Sequence, residues 1–320
     1  MSFKVIGTGT CLPQKVVTND DLSQFVDTSD EWIFPRTGIR RRHVCTTETL
    51  DDLATSAARK ALDMSGIDSQ EVGLVICSTT SSDHPIPAVA CVVAGNLGLT
   101  CQAFDVYIAC SGFVHCLDIA DGYFARGRAR YALVIAAEKC TRLVDWSDRS
   151  TCVLFGDGAG AAVIEATEGP SLPIRGWTQA GFELTLPGQP SQSRFDQHPA
   201  DYGDCLAMNG RAIFRFAVKA INREVKALSA QAGIDYHDID HYIFHQANER
   251  ILSFAVAHLG IDDAKVVRTI QETGNISSAC IPIALDKLNR QGDLKEGDLV
   301  CMVGFGGGLS VGSCLIRWQD

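Results

Sequence analysis

The apolar positions of this chain run in unbroken blocks rather than in alternation. Gly73-Leu-Val-Ile-Cys-Ser-Thr, Tyr131-Ala-Leu-Val-Ile-Ala-Ala-Glu, Asp240-His-Tyr-Ile-Phe-His-Gln and Asp298-Leu-Val-Cys-Met-Val-Gly-Phe are the clearest of them. A strand that is apolar on both faces belongs to a sheet covered by helices on both sides. Between the blocks lie patterns of helical period, about 12 residues long, so the class predicted is α/β.

The blocks also recur. Shifting the chain against itself by about 167 residues lays the first block over the third and the second over the fourth. Each half then carries an apolar helical run ending in a Leu-Gly signal, Asn96-Leu-Gly-Leu and His258-Leu-Gly-Ile. A second helix comes next in each, over 110–123 and 277–288. The expectation is two similar halves, residues 1–170 and 171–320, stacked as a layered α-β-α-β-α sandwich. One stretch breaks the pattern. Glu183–Asp204 gathers Pro187, Gly188, Pro190, Pro199 and Gly203 among polar residues. A long segment of that kind in a compact protein reads as a functional cover or a disordered loop.

Two glycine clusters imitate nucleotide sites. Gly7-Thr-Gly9 is followed by Pro13 rather than by a helical run, and Gly156-Asp-Gly-Ala-Gly160 precedes the strand-like Ala161-Ala-Val-Ile. A dinucleotide fingerprint requires strand, turn and then helix. Both clusters are therefore read as turn or bulge glycines.

Composition narrows the class. The chain has 320 residues, 46% of them hydrophobic and 21% charged, with a formal net charge of −10. It can bury a large core, and its acidity argues against general nucleic-acid binding. No apolar stretch reaches the roughly 18 residues of a membrane span, and the start MSFKVIGTG does not read as a signal peptide. The 13 cysteines are odd in number and include no C-x-x-C pair, which fits reduced thiols in a cytoplasmic protein. Scattered histidines such as His43 and His237 lack ligand spacing, so no metal site is expected.

Three short stretches carry the candidate chemistry: Cys110 in Y-I-A-C-S-G-F, His245 in H-Q-A-N-E-R-I and Asn275 in G-N-I-S-S-A. Ala103-Phe-Asp-Val-Tyr-Ile-Ala reads as a strand and the residues from Gly112 as a helix. A thiol at that junction meets unpaired backbone N–H groups, which should lower its pKa. Gly112 is expected to let a bound acyl group come close to the backbone. A thiolate there can attack a thioester and hold the acyl group.

At this point the chain resembles the β-ketoacyl-acyl-carrier-protein synthase III family, of the thiolase-like fold. The resemblance runs from Ile6-Gly-Thr-Gly to Gly312. It rests on Asp27-Thr-Ser-Asp-Glu-Trp-Ile, Arg36-Thr-Gly-Ile-Arg, Phe155-Gly-Asp-Gly-Ala-Gly-Ala-Ala, His245-Gln-Ala-Asn, Gly274-Asn275 and Phe305-Gly-Gly-Gly. It implies that Cys110 is acylated from an acyl-CoA. It implies that His245 and Asn275 then bind the thioester carbonyl of malonyl-acyl carrier protein. Decarboxylation leaves an enolate, which needs hydrogen-bond donors rather than a strong base. A second oxyanion hole is implied from the backbone N–H groups of Cys110 and Gly307.

The resemblance also implies coenzyme A contacts at Trp32, Arg36, Arg149 and Asn248, and an acyl pocket closed by Ile86. A basic row, Arg211, Arg215, Lys219, Arg223 and Lys226, recurs at steps of three or four and so shares one helix face. With Arg250 it is a candidate dock for the acidic carrier, and Arg215 and Arg250 match basic positions of the family. Glu249 stands where the family has an apolar residue. No cofactor is implied beyond the CoA thioester substrate, and the family pairs as a homodimer. Three alternatives stay open: a sister enzyme of secondary metabolism, a Cys-His-Asn hydrolase and a non-catalytic partner subunit.

Overall fold

The computed structural model describes residues 2–169, 171–186, 188, 194–195 and 204–319. Two mixed sheets organise it. In the first, the strands stand in the order Ser2–Cys11, Asp157–Thr167, Tyr131–Lys139, Val72–Ser78, Gln102–Val106. The last three run parallel and the first two pairings are antiparallel. In the second, the order is Ile174–Gly181, Gly308–Arg317, Leu299–Gly306, His241–Phe244, again antiparallel, antiparallel, then parallel. Where the first sheet has its fifth strand, the second has an isolated parallel bridge from Tyr242 to Val266.

The unbroken apolar blocks have a direct cause. Leu74 and Ile76 face a middle layer of helices, Gly112–Ala125 and Cys280–Arg290, while Val75 and Cys77 face the outer helices Leu50–Ser65 and Val89–Asn96. In the second sheet Val300 and Met302 face the same middle layer, and Cys301 and Val303 face Gly210–Ala232 and Glu249–Leu259. Five layers result, and the middle one is shared by both sheets.

Helix Leu50–Ser65 shows how local chemistry and packing agree. Thr49 and Asp52 form a capping box at its start, and Gly66 ends it with φ of 68°. Ala54, Ala57, Ala58 and Ala61 give it a small-residue face that lies on the first sheet. The strand beneath answers with Gly7 and Gly9. A Cβ on either would stand 2.2 Å from a helix carbonyl, that of Ala61 or Ala57. These glycines therefore serve close helix–strand packing, with a register shift between Val5 and Gly7, rather than a turn. In the second cluster Gly158 and Gly160 lie inside the strand Asp157–Thr167.

The polar stretch after Glu183 begins as a short ladder, Leu184–Thr185 paired with Ala207–Met208. Pro187, Pro190, Pro199 and Gly203 lie outside the described residues. All 13 cysteines are free thiols. Among the described residues no helix is long and apolar enough to cross a membrane, and no cluster of His, Cys, Asp or Glu is disposed to hold a metal ion.

Gly9→Ala places a methyl group against the Ala57 carbonyl. It should cost about 1–3 kcal/mol, read as a lower urea midpoint with an unchanged slope.

Candidate active site

Cys110 sits in a tight turn, Ala109–Ser111, between the strand Gln102–Val106 and the helix Gly112–Ala125. Its counterpart in the second half is the turn Ser277–Ala279, before the helix Cys280–Arg290. Ala109 (φ 52°) and Ser277 (φ 46°) open the two turns and hold the left-handed backbone region without being glycine. Such conformations concentrate at functional sites. Ser111 anchors the first turn to the second sheet through Ser310, Oγ to Oγ 2.8 Å.

The strand Leu299–Gly306 passes directly over the thiol. A Cβ at Gly306 would stand 2.8 Å from the Cys110 Cβ and 3.0 Å from Sγ. Glycine is required there for the two halves to close. Gly112 plays a different part from the one expected. A Cβ on it would collide with Ser78 Oγ at 1.7 Å, so it seats the helix on the strand Val72–Ser78.

His245 follows the strand His241–Phe244, and its backbone N–H donates to Val303 O at 2.9 Å. Its ring rests edge-on against Phe305, centroids 5.1 Å apart, and Phe305 precedes the glycine that abuts Cys110. Nδ1 is buried without a partner. Burial drives the imidazole down to about 3, so it is neutral near pH 7 and carries a single N–H.

Asn275 is held by backbone bonds to Leu154 O (2.8 Å) and from Gly156 N (3.0 Å). Its Oδ1 accepts from Ser277 N at 2.8 Å, and the Cys280 thiol lies 3.9 Å away on the same oxygen. With the oxygen committed, the amide NH2 is the end left to donate outward. Ser277 Oγ lies 3.5 Å from Cys110 Sγ. Ser277 thus links the thiol to Asn275, and Phe305, next to the Gly306 that abuts Cys110, links it to His245.

The expected depression of the Cys110 thiol is overturned. The side chain is buried, and loss of water pushes it up to about 12, against a smaller opposing contribution from Ser277.

Cys110 opens on a cavity of about 320 Å³ lined by Gly307, Ser277 and mainly apolar side chains, among them Leu143, Phe155, Leu184 and Leu206. Leu184, Thr185 and Leu186, at the start of the polar stretch picked out in the sequence, line the cavity, and so does Leu206 just beyond its end. Ile86 does not line this cavity, and its side chain is 85% exposed.

The residues assigned to coenzyme A and the carrier converge on the surface. Arg36 and Arg149 place their guanidinium carbons 4.8 and 4.9 Å from the Trp32 ring centroid. Asn248 caps the helix Glu249–Leu259 through Arg250 N (2.8 Å) and donates to Arg36 O (3.0 Å). Arg36, Asn248, Arg211, Arg215 and Arg250 line one groove. The basic row lies on the solvent face of helix Gly210–Ala232, whose inner face buries Ile213, Ala217, Ile221, Val225 and Leu228. Beside it Phe214 meets Phe254 edge-on at 5.5 Å, in a second groove with Lys219, Arg223 and His258. Glu249 adds no free charge there, since Arg268 Nε reaches it at 2.9 Å.

Some residues of the site escaped the sequence reading. Gln246 Oε1 accepts from Thr269 N at 2.9 Å and its amide donates to Phe244 O at 2.7 Å, tying the histidine segment to the chain leading to Asn275. Cys280 Sγ accepts from Ile276 N at 3.2 Å. Glu138 is fully buried beside Ser277. An acid closing an otherwise apolar strand was the signal available.

A shared middle helix layer between two mixed sheets, with a thiol at the turn into one of those helices, is the thiolase fold with a thiol-centred site. Known proteins agree. Residues 104–178 match the model of 3-oxoacyl-[acyl-carrier-protein (ACP)] synthase III, and residues 229–318 match that of its C-terminal part. The β-ketoacyl-[acyl-carrier-protein] synthase III of Caulobacter vibrioides is 46% identical, over 99% of this chain and 100% of that protein. The crystal structure of 3-oxoacyl-[acyl-carrier-protein] synthase III from Aquifex aeolicus superposes with a TM-score of 0.91 at 41% identity, covering 99% and 100%. The priming β-ketosynthase of the R1128 polyketide pathway superposes with a TM-score of 0.92 at 34% identity, covering 100% and 97%. The chain belongs to the β-ketoacyl-acyl-carrier-protein synthase III family.

Because His245 stays neutral in the fold while the unfolded residue titrates normally, the unfolded chain binds the extra proton as pH falls below about 6.5. The wild type should therefore lose stability relative to His245→Gln from about pH 6.5 down toward 3, by up to ~1.4 kcal/mol per pH unit. Paired urea titrations across that range measure it.

Proposed function

We propose that this protein condenses an acyl-CoA primer with malonyl-acyl carrier protein, the step that starts a fatty acid. Cys110 attacks the acyl-CoA carbonyl, takes the acyl group and releases coenzyme A. The malonyl thioester then lies with its carbonyl oxygen toward the His245 N–H and the Asn275 NH2. Loss of CO2 places negative charge on that oxygen, and the two donors stabilise it. The resulting carbanion attacks the acyl-Cys110 carbonyl, whose own oxygen is met by the N–H groups of Cys110 and Gly307. The observation that supports this reading is the state of the two donors: a buried imidazole driven neutral, and a carboxamide whose oxygen is already bonded to Ser277 N, the residue whose hydroxyl lies 3.5 Å from the thiol.

Trp32 with Arg36 and Arg149 suits a purine and its phosphates. Asn248, in the same groove as Arg36, suits contact with the pantetheine arm. The basic face of Gly210–Ala232 with Arg250 suits an acidic carrier, and the Phe214–Phe254 pair supplies apolar contact beside it. We assign the chain to the cytoplasm, to the two halves 1–170 and 171–320, and to a homodimer. The exposure of Ile86 supports pairing, because a role for it in an acyl pocket then falls to the cavity of the partner copy. Likeness to the R1128 enzyme favours one second reading, a priming enzyme of another pathway. A panel of acyl-CoA primers separates the two.

Incubation with the panel should add an acyl mass that is absent in Cys110→Ala, read by intact-protein mass spectrometry. His245→Ala should still acylate while condensation falls by about 10²–10³-fold. Equal loss of acylation in both variants contradicts these roles.

The double variant Arg215→Glu, Lys219→Glu should raise KM for the malonyl carrier about tenfold. The wild-type KM should climb toward it as salt is raised, because screening weakens exposed charge pairs. Steady-state kinetics over a salt series tests both.

A further inference from the structure

The condensing reading leaves unused a buried carboxyl directly behind the nucleophile. Glu138 closes the strand Tyr131–Lys139 and is wholly buried. Hydroxyls and one backbone N–H surround it in place of a cation. Its Oε1 accepts from Ser278 Oγ (2.9 Å) and Ser277 Oγ (3.1 Å), and its Oε2 accepts from Thr80 N (3.1 Å) and Ser81 Oγ (2.5 Å). Ser81 Oγ itself accepts the Lys139 N–H at 2.7 Å, so its own proton is turned toward Glu138. A buried carboxyl with no paired charge is costly to keep, and such groups mark functional sites.

Ser277 joins this carboxyl to the thiol. Its Oγ lies 3.1 Å from Glu138 Oε1 and 3.5 Å from Cys110 Sγ, and it has one proton to give. While Cys110 carries its proton, the hydroxyl can accept from the S–H and donate to the carboxylate. Once the thiol proton has gone, the same hydroxyl can turn and donate to sulfur. The left-handed backbone of Ser277 is what aims the side chain into the gap between the two groups.

The surrounding titratable groups do not compete. Cys77, Cys140 and Cys280 are thiols pushed up by burial, and Tyr107 is pushed up likewise. His245 is driven down to about 3, and Lys139 turns its ammonium to Asp83 at 3.1 Å. Among these groups Glu138 is the one that the Ser277 hydroxyl joins to Cys110. Burial raises it too, which brings it closer to the thiol it would serve.

Resting on the acyl-enzyme reading above, we propose that Glu138 takes the Cys110 proton through the Ser277 hydroxyl as the acyl-CoA is attacked, and gives it back to the departing coenzyme A. The S–H bond of Cys110 breaks as Ser277 gains that proton and passes its own to Oε1. The sulfur then forms its bond to the acyl carbon, and the bond from that carbon to the coenzyme A sulfur breaks. The coenzyme A thiolate takes a proton from Ser277, which Glu138 replenishes. Glu138 and Ser277 end as they began, coenzyme A leaves as the thiol, and the buried site never changes its total charge. Ser277 positions and relays, and Glu138 acts through it.

The test is rapid-quench acylation by acetyl-CoA, with iodoacetamide alkylation of Cys110 in parallel, from about pH 6 to 9. Wild type, Glu138→Gln and Ser277→Ala are compared after circular dichroism has shown them folded. The first variant keeps the shape of the carboxyl and the second removes only the relay hydroxyl. Wild-type rates should be nearly flat with pH. Both variants should be slower near pH 7 by about 10²-fold and should rise about tenfold per pH unit as solvent hydroxide takes over. Variants that acylate at the wild-type rate with the wild-type profile overturn the relay while leaving the enzyme reading intact. So does a loss that is uniform across pH, which marks a purely structural role. A wild type that forms no adduct with any acyl-CoA overturns the enzyme reading itself.

Discussion

The site depends on one contact, that of the Leu299–Gly306 strand against the turn that holds Cys110. The first half supplies the thiol and Glu138, and the second supplies His245, Asn275 and Ser277. They meet because a side chain is missing at Gly306, where even a methyl group would stand 3.0 Å from the sulfur. The shared helix layer fixes that approach, since Phe113 and Leu117 of one central helix and Ile281 and Leu285 of the other belong to the same core.

Inside, the site is buried and lined mainly by apolar side chains. Burial pushes the thiol up and the imidazole down, and it raises Glu138. Catalysis in such surroundings relies on donors fixed beforehand toward the place where charge will develop, because fixed dipoles need no reorganisation during the reaction. Ser277 N and the Cys280 thiol on Asn275 Oδ1 do that fixing. Outside, the logic reverses. A protein of net charge −10 keeps a row of cations exposed on one helix, where water makes them cheap to hold.

The departures from the sequence reading share a cause. A helix N-terminus and a cysteine are visible in sequence, but the depth of the cysteine is not, and depth decided its titration. Gly112 stands beside the nucleophile in sequence, yet the neighbour that requires it to be glycine is Ser78 on another strand. Glu138 could have been noticed as an acid closing an apolar run, but Ser277, which gives it meaning, lies 139 residues away.

Local periodicity and residue type are the information the chain holds by itself, and they determined its architecture. Unbroken apolar runs implied sheets covered on both faces. Their recurrence implied two halves, and three separated motifs named Cys110, His245 and Asn275. The tertiary structure decided everything that turns on desolvation and on contact between the halves. Those terms include the raised thiol, the silenced imidazole, the committed oxygen of Asn275 and the hydroxyl bridge to Glu138. The physical reason is that a pKa or a hydrogen bond in this site depends on which atoms exclude water from it. Those atoms come from strands and turns that only the folded chain brings within reach.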